Sequence, residues 1–206
     1  MNTTSVLIVD DHSMFRMGLK SLLGTCREVK VVGDASNGRA AVAQVRKLRP
    51  AVVIMDLLMP EMDGVEATRQ ILAAVPGTNV LILTTFGTAD GISHALDAGA
   101  RGALLKTAEL AELKTAIQTI SAGHVYVSDE IKRIMDSDPP LPPLSPRQRE
   151  VLESIVEGLP NALIADKLGI SLEMVKEHVK ALFAKLNVST RADAVAIALR
   201  KHLLKI

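Results

Sequence analysis

The sequence predicts an α/β domain with a doubly wound, five-stranded parallel sheet, followed by a small all-α domain. Short aliphatic runs alternate with helical patterns five times, a proline-rich segment follows, and only helical periodicity occurs beyond it. The runs are rich in Val, Ile and Leu, which is typical of parallel strands buried on both faces. A repeated strand-helix alternation favours a parallel sheet with helices on both faces.

The predicted elements of the first domain follow one another in a regular order. The strands are predicted at 5–9, 29–32, 51–55, 80–83 and 102–105. The helices are predicted at 13–24, 38–48, 64–74, 88–98 and 109–121. Each strand is thus followed by one helix, as expected when a crossover helix connects two parallel strands.

The proline-rich segment separates two domains. Residues 136–144 contain four prolines in nine residues, which disfavours helices and strand ladders and favours an extended spacer. Ser145-Pro-Arg-Gln148 then predicts a helix start, with Ser as N-cap, Pro in the first turn and Gln three residues later. The predicted organisation is a first domain at 1–122, a linker with a short helix and the spacer at 123–144, and a helical domain at 145–206.

Composition restricts the class of protein. No apolar stretch reaches the roughly 18 residues of a membrane span, and the N-terminus lacks a signal-peptide pattern. The single cysteine, Cys26, fits a reducing compartment, so a cytoplasmic protein without a membrane partner is expected. Residues 145–206 carry ten Lys and Arg against seven Asp and Glu, a mild basic excess compatible with nucleic-acid binding.

Polar residues follow four of the predicted strands: Asp10 with Asp11, Asp56, Thr84 and Lys106. Because ligands collect beyond the carboxyl ends of parallel strands, these side chains are expected to converge. A carboxylate can form an acyl phosphate, cations stabilise phosphoryl transfer, and clustered carboxylates suit Mg²⁺. Taken singly, an Asp after a strand more often caps the next helix, but the four positions together favour a phosphoryl site.

Residues 5–121 resemble the receiver domain of two-component response regulators. The resemblance rests on Val9-Asp-Asp-His12, Met55-Asp-Leu-Leu-Met-Pro-Glu-Met-Asp-Gly64, Leu83-Thr84 and Leu105-Lys106. It implies that Asp56 accepts a phosphoryl group from a sensor histidine kinase. It also implies that Asp11, Asp56 and the backbone carbonyl of Leu58 bind Mg²⁺ directly, and that Asp10 binds it through water. By the same resemblance, Thr84 and Lys106 hold the phosphoryl oxygens.

One departure from the receiver pattern concerns the switch. Ala103 occupies the position at which many receivers carry a Tyr or Phe that partners the switch threonine. The resemblance therefore implies that any movement of Thr84 is transmitted by packing other than that ring. Thr107 also stands where a proline often follows the lysine.

The C-terminal domain has the pattern of a helix-turn-helix motif. A short helix at 162–168 ends at Gly169, and Ser171 can cap a longer helix. On that longer helix, four apolar residues share one face: Val175, Val179, Leu182 and Leu186. In this motif the second helix enters the major groove of DNA. Periodicity alone leaves open a small helical bundle whose lysines are merely solvated.

The same segment resembles the LuxR-type helix-turn-helix domain. The matching segments are 144–152, 158–161, 164–165, 170–171, 175–180 and 186–188. With the receiver, the whole chain resembles NarL/FixJ-type transcriptional regulators, which implies binding of double-stranded DNA, as a dimer when phosphorylated. Lys176, Glu177 and Lys180 match the positions that contact bases and phosphates. Glu177 could accept a hydrogen bond from cytosine or repel phosphate. Ala162 stands at a position where domains of this type often have Lys.

Several other features stay open or carry less weight. An apolar stripe on the last helix, of Ala192, Val195, Ala196 and Leu199, fits either pairing of two domains or core packing. The five histidines show no metal-ligand spacing. The resemblance implies a regulator and not an enzyme. The alternatives are a regulator independent of phosphorylation, and a phosphatase or phosphotransferase that uses Asp56 as its nucleophile, for which no general acid is evident.

Overall fold

The computed structural model describes residues 3–85, 89–142, 144–201 and 203–204. The chain divides into two compact units, residues 1–139 and 140–206. Residue 88 of the predicted fourth helix, Pro143 of the predicted spacer and residues 202, 205 and 206 of the predicted second domain lie outside the described residues. No described helix has the length and apolar character needed to cross a lipid bilayer.

The first unit is a parallel sheet with alternating helices. Its strands are β1 (Thr4–Val9), β2 (Val29–Ala35), β3 (Val52–Met55), β4 (Asn79–Thr84), β5 (Gly102–Leu105) and β6 (Tyr126–Val127). Its helices are α1 (Ser13–Gly24), α2 (Gly38–Leu48), α3 (Gly64–Ala74), α4 (Ala89–Asp97), α5 (Leu110–Ser121) and α6 (Asp129–Ser137). The strand order is β2-β1-β3-β4-β5-β6, and every pairing is parallel.

Two aliphatic cores cover the two faces of this sheet. Alternate residues of each central strand point to opposite faces, so that Val6 and Ile8 join one core whereas Leu7 and Val9 join the other. Helices α1 and α5 cover the first face, and α2, α3, α4 and α6 contribute buried or partly buried residues to the second. The predicted doubly wound α/β class is therefore confirmed.

The number of strands differs from the prediction. The sheet has six strands instead of five, because Tyr126 and Val127 pair with Gly102 and Ala103 of β5. The apolar run at this place, Val125-Tyr126-Val127, is shorter than the roughly four to eight residues that indicate a strand, so the pattern did not predict it. The segment then continues into α6, whose Ile131 is fully buried in the first unit. The first compact unit therefore extends past residue 122.

The second unit is helical, as predicted. It contains α7 (Pro146–Val156), α8 (Asn161–Leu168), α9 (Leu172–Leu186) and α10 (Arg191–Arg200). The capping box predicted at Ser145 is present: the Ser145 hydroxyl accepts from the Gln148 backbone N–H, and the Gln148 side chain accepts from the Ser145 N–H. Fully buried residues of all four helices form a separate aliphatic core, among them Leu152, Ile164, Val175 and Ala194.

Candidate functional site

The parallel pairing of adjacent strands brings the polar residues at their carboxyl ends together. The Asp56 N–H donates to the carbonyl of Val9 at 2.9 Å, and the Lys106 N–H donates to the carbonyl of Thr84 at 2.8 Å. Each of these residues thus starts a loop beside the end of a neighbouring strand. The convergence predicted from the four strand ends depends on this arrangement.

Lys106 joins two buried carboxylates. Its Nζ lies 2.5 Å from Asp10 Oδ2 and 2.8 Å from Asp56 Oδ2, and its side chain is only 5% exposed. The ammonium also lies 4.6 Å from the centroid of the Phe15 ring. Charge-assisted hydrogen bonds and a cation-π contact together stabilise a charged lysine in a buried place.

Burial and the neighbouring charges shift the pKa values of Asp56 and Lys106 in opposite directions. Burial raises the pKa of Asp56 above its usual range, although the hydrogen bond and the charge of Lys106 oppose the change. Burial lowers the pKa of Lys106, but its hydrogen bonds to Asp10 and Asp56 raise it more, so the net shift is upward. Lys106 therefore stays cationic at neutral pH.

The acidic residues provide ligand atoms for a divalent cation. One ligand atom each from Asp10, Asp11, His12 and Asp56 lies within 4.8 Å of the others. Carboxylate oxygens in such a group suit Mg²⁺, which binds through one or two carboxylates and retains waters. The side chain of Leu58 is 50% exposed, and the role of its backbone carbonyl stays a prediction.

Thr84 ends β4 with a buried hydroxyl group. Its side chain is 1% exposed, and Oγ1 has no hydrogen-bond partner among the described residues. A buried hydroxyl without a partner is costly, so a ligand oxygen that accepts from it would gain from the interaction. Ala103, the residue at the predicted switch position, is fully buried in the sheet and pairs with Ile82 of β4.

The first turn of α3 packs closely against the backbone of Asp56 and Leu57. Asp63 caps this helix by accepting from the Glu66 N–H at 2.8 Å. The Gly64 N–H donates to the Leu57 carbonyl at 2.9 Å, and a Cβ atom at Gly64 would lie 2.2 Å from the Asp56 carbonyl oxygen. Glycine at this position allows the first turn of α3 to pack against the backbone of Asp56.

The second unit contains two helices connected by a tight turn. Gly169 ends α8 with φ of 65°, and the Ser171 hydroxyl caps α9 by accepting from the Met174 N–H. Arg147 of α7 donates to the carbonyl of Leu168 at 2.9 Å, which satisfies a group at the end of α8. The turn between the two helices is thereby fixed from both sides, in the arrangement of a helix-turn-helix motif.

The second helix of this motif, α9, has the buried and exposed faces that the sequence predicted. Val175, Leu182 and Leu186 are buried, and Val179 is partly buried. The three predicted contact residues, Lys176, Glu177 and Lys180, are all exposed. The Lys176 ammonium lies 2.8 Å from Glu173 Oε1 on the same helix. An exposed pair of this kind is weak, so Lys176 stays available to a phosphate.

The apolar stripe of α10 is mostly exposed. Ala194 and Ala198 form the buried face of this helix. Of the stripe identified in the sequence, Ala192 and Ala196 are exposed, Leu199 is 46% exposed and Val195 is partly buried. Core packing therefore accounts for little of this stripe.

His12, which was not predicted as a site residue, also lies in the acidic pocket. Its Nδ1 lies 2.8 Å from Asp11 Oδ1 and 3.4 Å from Asp10 Oδ1. The five histidines of the chain show no common spacing, so spacing alone did not single out His12. The signal that could have identified His12 is its position directly after two aspartates at the end of a strand.

Comparison with known protein families accounts for both units. Residues 6–118 match the response regulator receiver domain, and residues 142–198 match the luxR family of bacterial regulatory proteins. The chain belongs to the response regulators with a LuxR-type DNA-binding domain. The resemblance to NarL/FixJ-type transcriptional regulators is thereby confirmed, and with it the function of a DNA-binding transcription regulator.

Relatives of this response regulator match along nearly its whole length. It is 36% identical over 208 residues to the response regulator protein VraR of Staphylococcus aureus, which covers 98% of this chain and 100% of VraR. The response regulator ChrA of a heme-sensing two-component system is 35% identical, with a TM-score of 0.60 and coverage of 99% and 100%.

A further solved structure contains DNA. RcsB of Salmonella enterica serovar Typhimurium, bound to a promoter in the presence of the phosphomimetic BeF3−, is 27% identical to this chain. Its TM-score is 0.70, and the match covers 95% of this chain and 97% of RcsB. The likeness includes both the sheet unit and the helical unit.

Proposed function

We propose that Asp56 accepts a phosphoryl group from a sensor histidine kinase and that the phosphorylated regulator binds promoter DNA as a dimer. The observation that most directly supports phosphorylation of Asp56 is the buried contact of Lys106 with both Asp10 and Asp56. A lysine held between two carboxylates provides a countercharge where an acyl phosphate would form. The LuxR-type domain provides the output to DNA.

The proposed reaction is a transfer between two side chains. A carboxylate oxygen of Asp56 attacks the phosphorus of a phosphohistidine, the P–N bond breaks, and the imidazole of the kinase leaves with the electron pair. Asp10, Asp11, Asp56 and the Leu58 carbonyl are the groups that would hold Mg²⁺, which neutralises charge on the phosphoryl oxygens. Lys106 supplies the second positive charge, and the Thr84 hydroxyl donates to a phosphoryl oxygen.

The proposed DNA contacts lie on the exposed face of α9. Lys176 and Lys180 are one helical turn apart and can reach phosphates or base edges in the major groove. Glu177, on an adjacent part of the surface, can accept from a cytosine amino group. The exposed part of the α10 stripe offers an apolar surface through which two such domains could pair on adjacent half-sites.

Replacing Lys180 with Ala should weaken DNA binding and lower the salt slope by roughly one unit, because one phosphate contact and its released counterion are lost. The measurement is the dissociation constant for one DNA fragment at several salt concentrations. Lys47→Ala is a matched control, because Lys47 is an exposed lysine on α2, outside the helix-turn-helix unit. An unchanged affinity and slope for Lys180→Ala would remove Lys180 from the interface.

The experiment that tests receiver control compares DNA binding of the full chain with and without acetyl phosphate and Mg²⁺. We expect the full chain to need the phosphoryl donor and a fragment of residues 145–206 to bind without it. A free-energy difference of only a few kcal/mol between the binding-competent and the inactive state is enough for such control. Equal affinity of the fragment and of both states of the chain would contradict the proposal.

The buried Ala103 favours a second candidate, a regulator that binds DNA without phosphorylation. No aromatic side chain is available at that position to follow a movement of Thr84. The same comparison distinguishes the two candidates, because the second one predicts full binding without a phosphoryl donor. Turnover of a phosphomonoester by the chain would instead favour the phosphatase alternative. The cytoplasmic location stays a prediction from the sequence.

A further inference from the structure

Four side chains at the carboxyl edge of the sheet place possible ligand atoms around one point. They are Asp10, Asp11, His12 and Asp56, and their ligand atoms lie within 4.8 Å of one another. Ligand atoms around one octahedral divalent ion are roughly 3 to 4 Å apart, since each lies about 2.1 Å from the ion. Small side-chain rotations would therefore allow the imidazole to share an ion with the carboxylates.

His12 has no evident structural task at its position. It is the N-cap residue of α1, yet its side chain makes no capping hydrogen bond. Ser, Thr, Asp and Asn are preferred at this position because their side chains do cap. The imidazole is 73% exposed and faces Asp11 and Asp10 instead. An ion bound by the imidazole would replace the contact between His12 Nδ1 and Asp11 Oδ1.

Lys106 does not occupy the side of the pocket that His12 faces. The ammonium contacts Oδ2 of Asp10 and Oδ2 of Asp56, whereas the imidazole approaches Oδ1 of Asp10 and Oδ1 of Asp11. The two groups therefore use different oxygens of Asp10. An ion bound between His12 and the aspartates would leave the contacts of Lys106 in place.

The nitrogen ligand changes which ions the pocket prefers. Imidazole suits Ni²⁺ and Zn²⁺, whereas Mg²⁺ prefers oxygen ligands. We propose that His12 is an additional ligand of the acidic pocket and that it raises the affinity of this pocket for Ni²⁺ and Zn²⁺ but not for Mg²⁺. This inference rests on the metal-binding part of the proposed function. It makes the first unit sensitive to the supply of transition-metal ions.

The test is calorimetric titration of the full chain with Ni²⁺, Zn²⁺ or Mg²⁺ alone at one neutral pH, for the wild type and for His12→Asn. Loss of an outer-shell partner already lowers metal affinity roughly ten-fold or more, so loss of a direct ligand should lower Ni²⁺ and Zn²⁺ affinity at least as much. Mg²⁺ affinity should stay unchanged. The matched control is His124→Asn, because His124 is exposed and outside the pocket group, and it should leave all three affinities unchanged.

A second measurement needs no variant. Zn²⁺ should shift the NMR resonance of the His12 imidazole Nδ1 in the wild-type chain far more than Mg²⁺ does, because Zn²⁺ would bind this nitrogen directly whereas Mg²⁺ would act on it only through Asp11. Equal Ni²⁺ and Zn²⁺ affinities of wild type and His12→Asn, or an equal loss of affinity for all three ions, would overturn the inference.

The outcomes also separate this inference from the function on which it rests. Asp11→Asn should weaken Mg²⁺ binding if the acidic pocket is the metal site. Failure of the wild type to bind Mg²⁺ would refute both the metal pocket and this inference. Mg²⁺ binding that depends on Asp11, with Ni²⁺ binding independent of His12, would refute this inference alone.

Discussion

Replacing Asp56 with Asn should abolish phosphorylation of the full chain by acetyl phosphate in the presence of Mg²⁺. The amide keeps the shape of the side chain but lacks the nucleophilic carboxylate, and it also removes the charge that binds Lys106 at 2.8 Å. Intact-mass spectrometry measures the phosphorylated fraction, and release of the phosphoryl group by hydroxylamine identifies an acyl phosphate. We expect a complete loss of this adduct in Asp56→Asn.

A matched control tests whether the loss is specific to this carboxylate. Asp97→Asn removes an exposed carboxylate at the end of α4, away from the pocket group, and should be phosphorylated to the same extent as the wild type. A hydroxylamine-sensitive adduct that persists in Asp56→Asn would show that another residue is the phosphoacceptor.

The second large effect is expected for Gly64→Ala, which should destabilise the first unit. The added Cβ would lie 2.2 Å from the Asp56 carbonyl oxygen and 3.0 Å from Leu57 Cα, so the backbone itself must move. Overpacking of this kind costs about 1–3 kcal/mol of the free energy of unfolding. Because the displaced backbone belongs to Asp56, we expect slower phosphorylation as well.

Urea unfolding followed by tyrosine fluorescence measures this effect in the first unit alone. Tyr126 is the one tyrosine of the chain and lies in β6. The matched control is Gly18→Ala in the exposed part of α1, where a Cβ meets no atom within 4 Å. This control should stabilise by about 0.5–1 kcal/mol, because Ala is favoured over Gly inside a helix. Equal unfolding midpoints for Gly64→Ala and wild type would contradict the steric argument.

Local signals were sufficient to predict most of the elements and the acidic residues. The aliphatic runs are contiguous in the chain, and each polar residue that follows a run is its immediate neighbour. Parallel strands align their carboxyl ends, so the four strand ends already predicted that Asp10, Asp56, Thr84 and Lys106 would be close together. Helix caps such as Ser145 and Ser171 were predictable for the same reason, since a cap acts within three residues.

The exposed face of α9 was also predictable, because the 3.6-residue period assigns each residue of a helix to a face. Val175, Leu182 and Leu186 occupy the buried side, and Lys176 and Lys180 the exposed side. The pattern could not decide whether the α10 stripe was core or surface. That choice depends on which residues of α7 and α9 cover the helix, and these are distant in sequence.

The sequence by itself thus determined the order of the elements, the identity of the acidic group and the faces of the helices, because these follow from contacts between near neighbours. Only the tertiary structure decided how the groups meet. Lys106 contacts Asp56 across 50 residues and lies over the Phe15 ring, and β6 forms by pairing with β5. These contacts join residues that are far apart in the chain, and no sequence pattern indicates which of them will meet. The packing of the folded chain decides it.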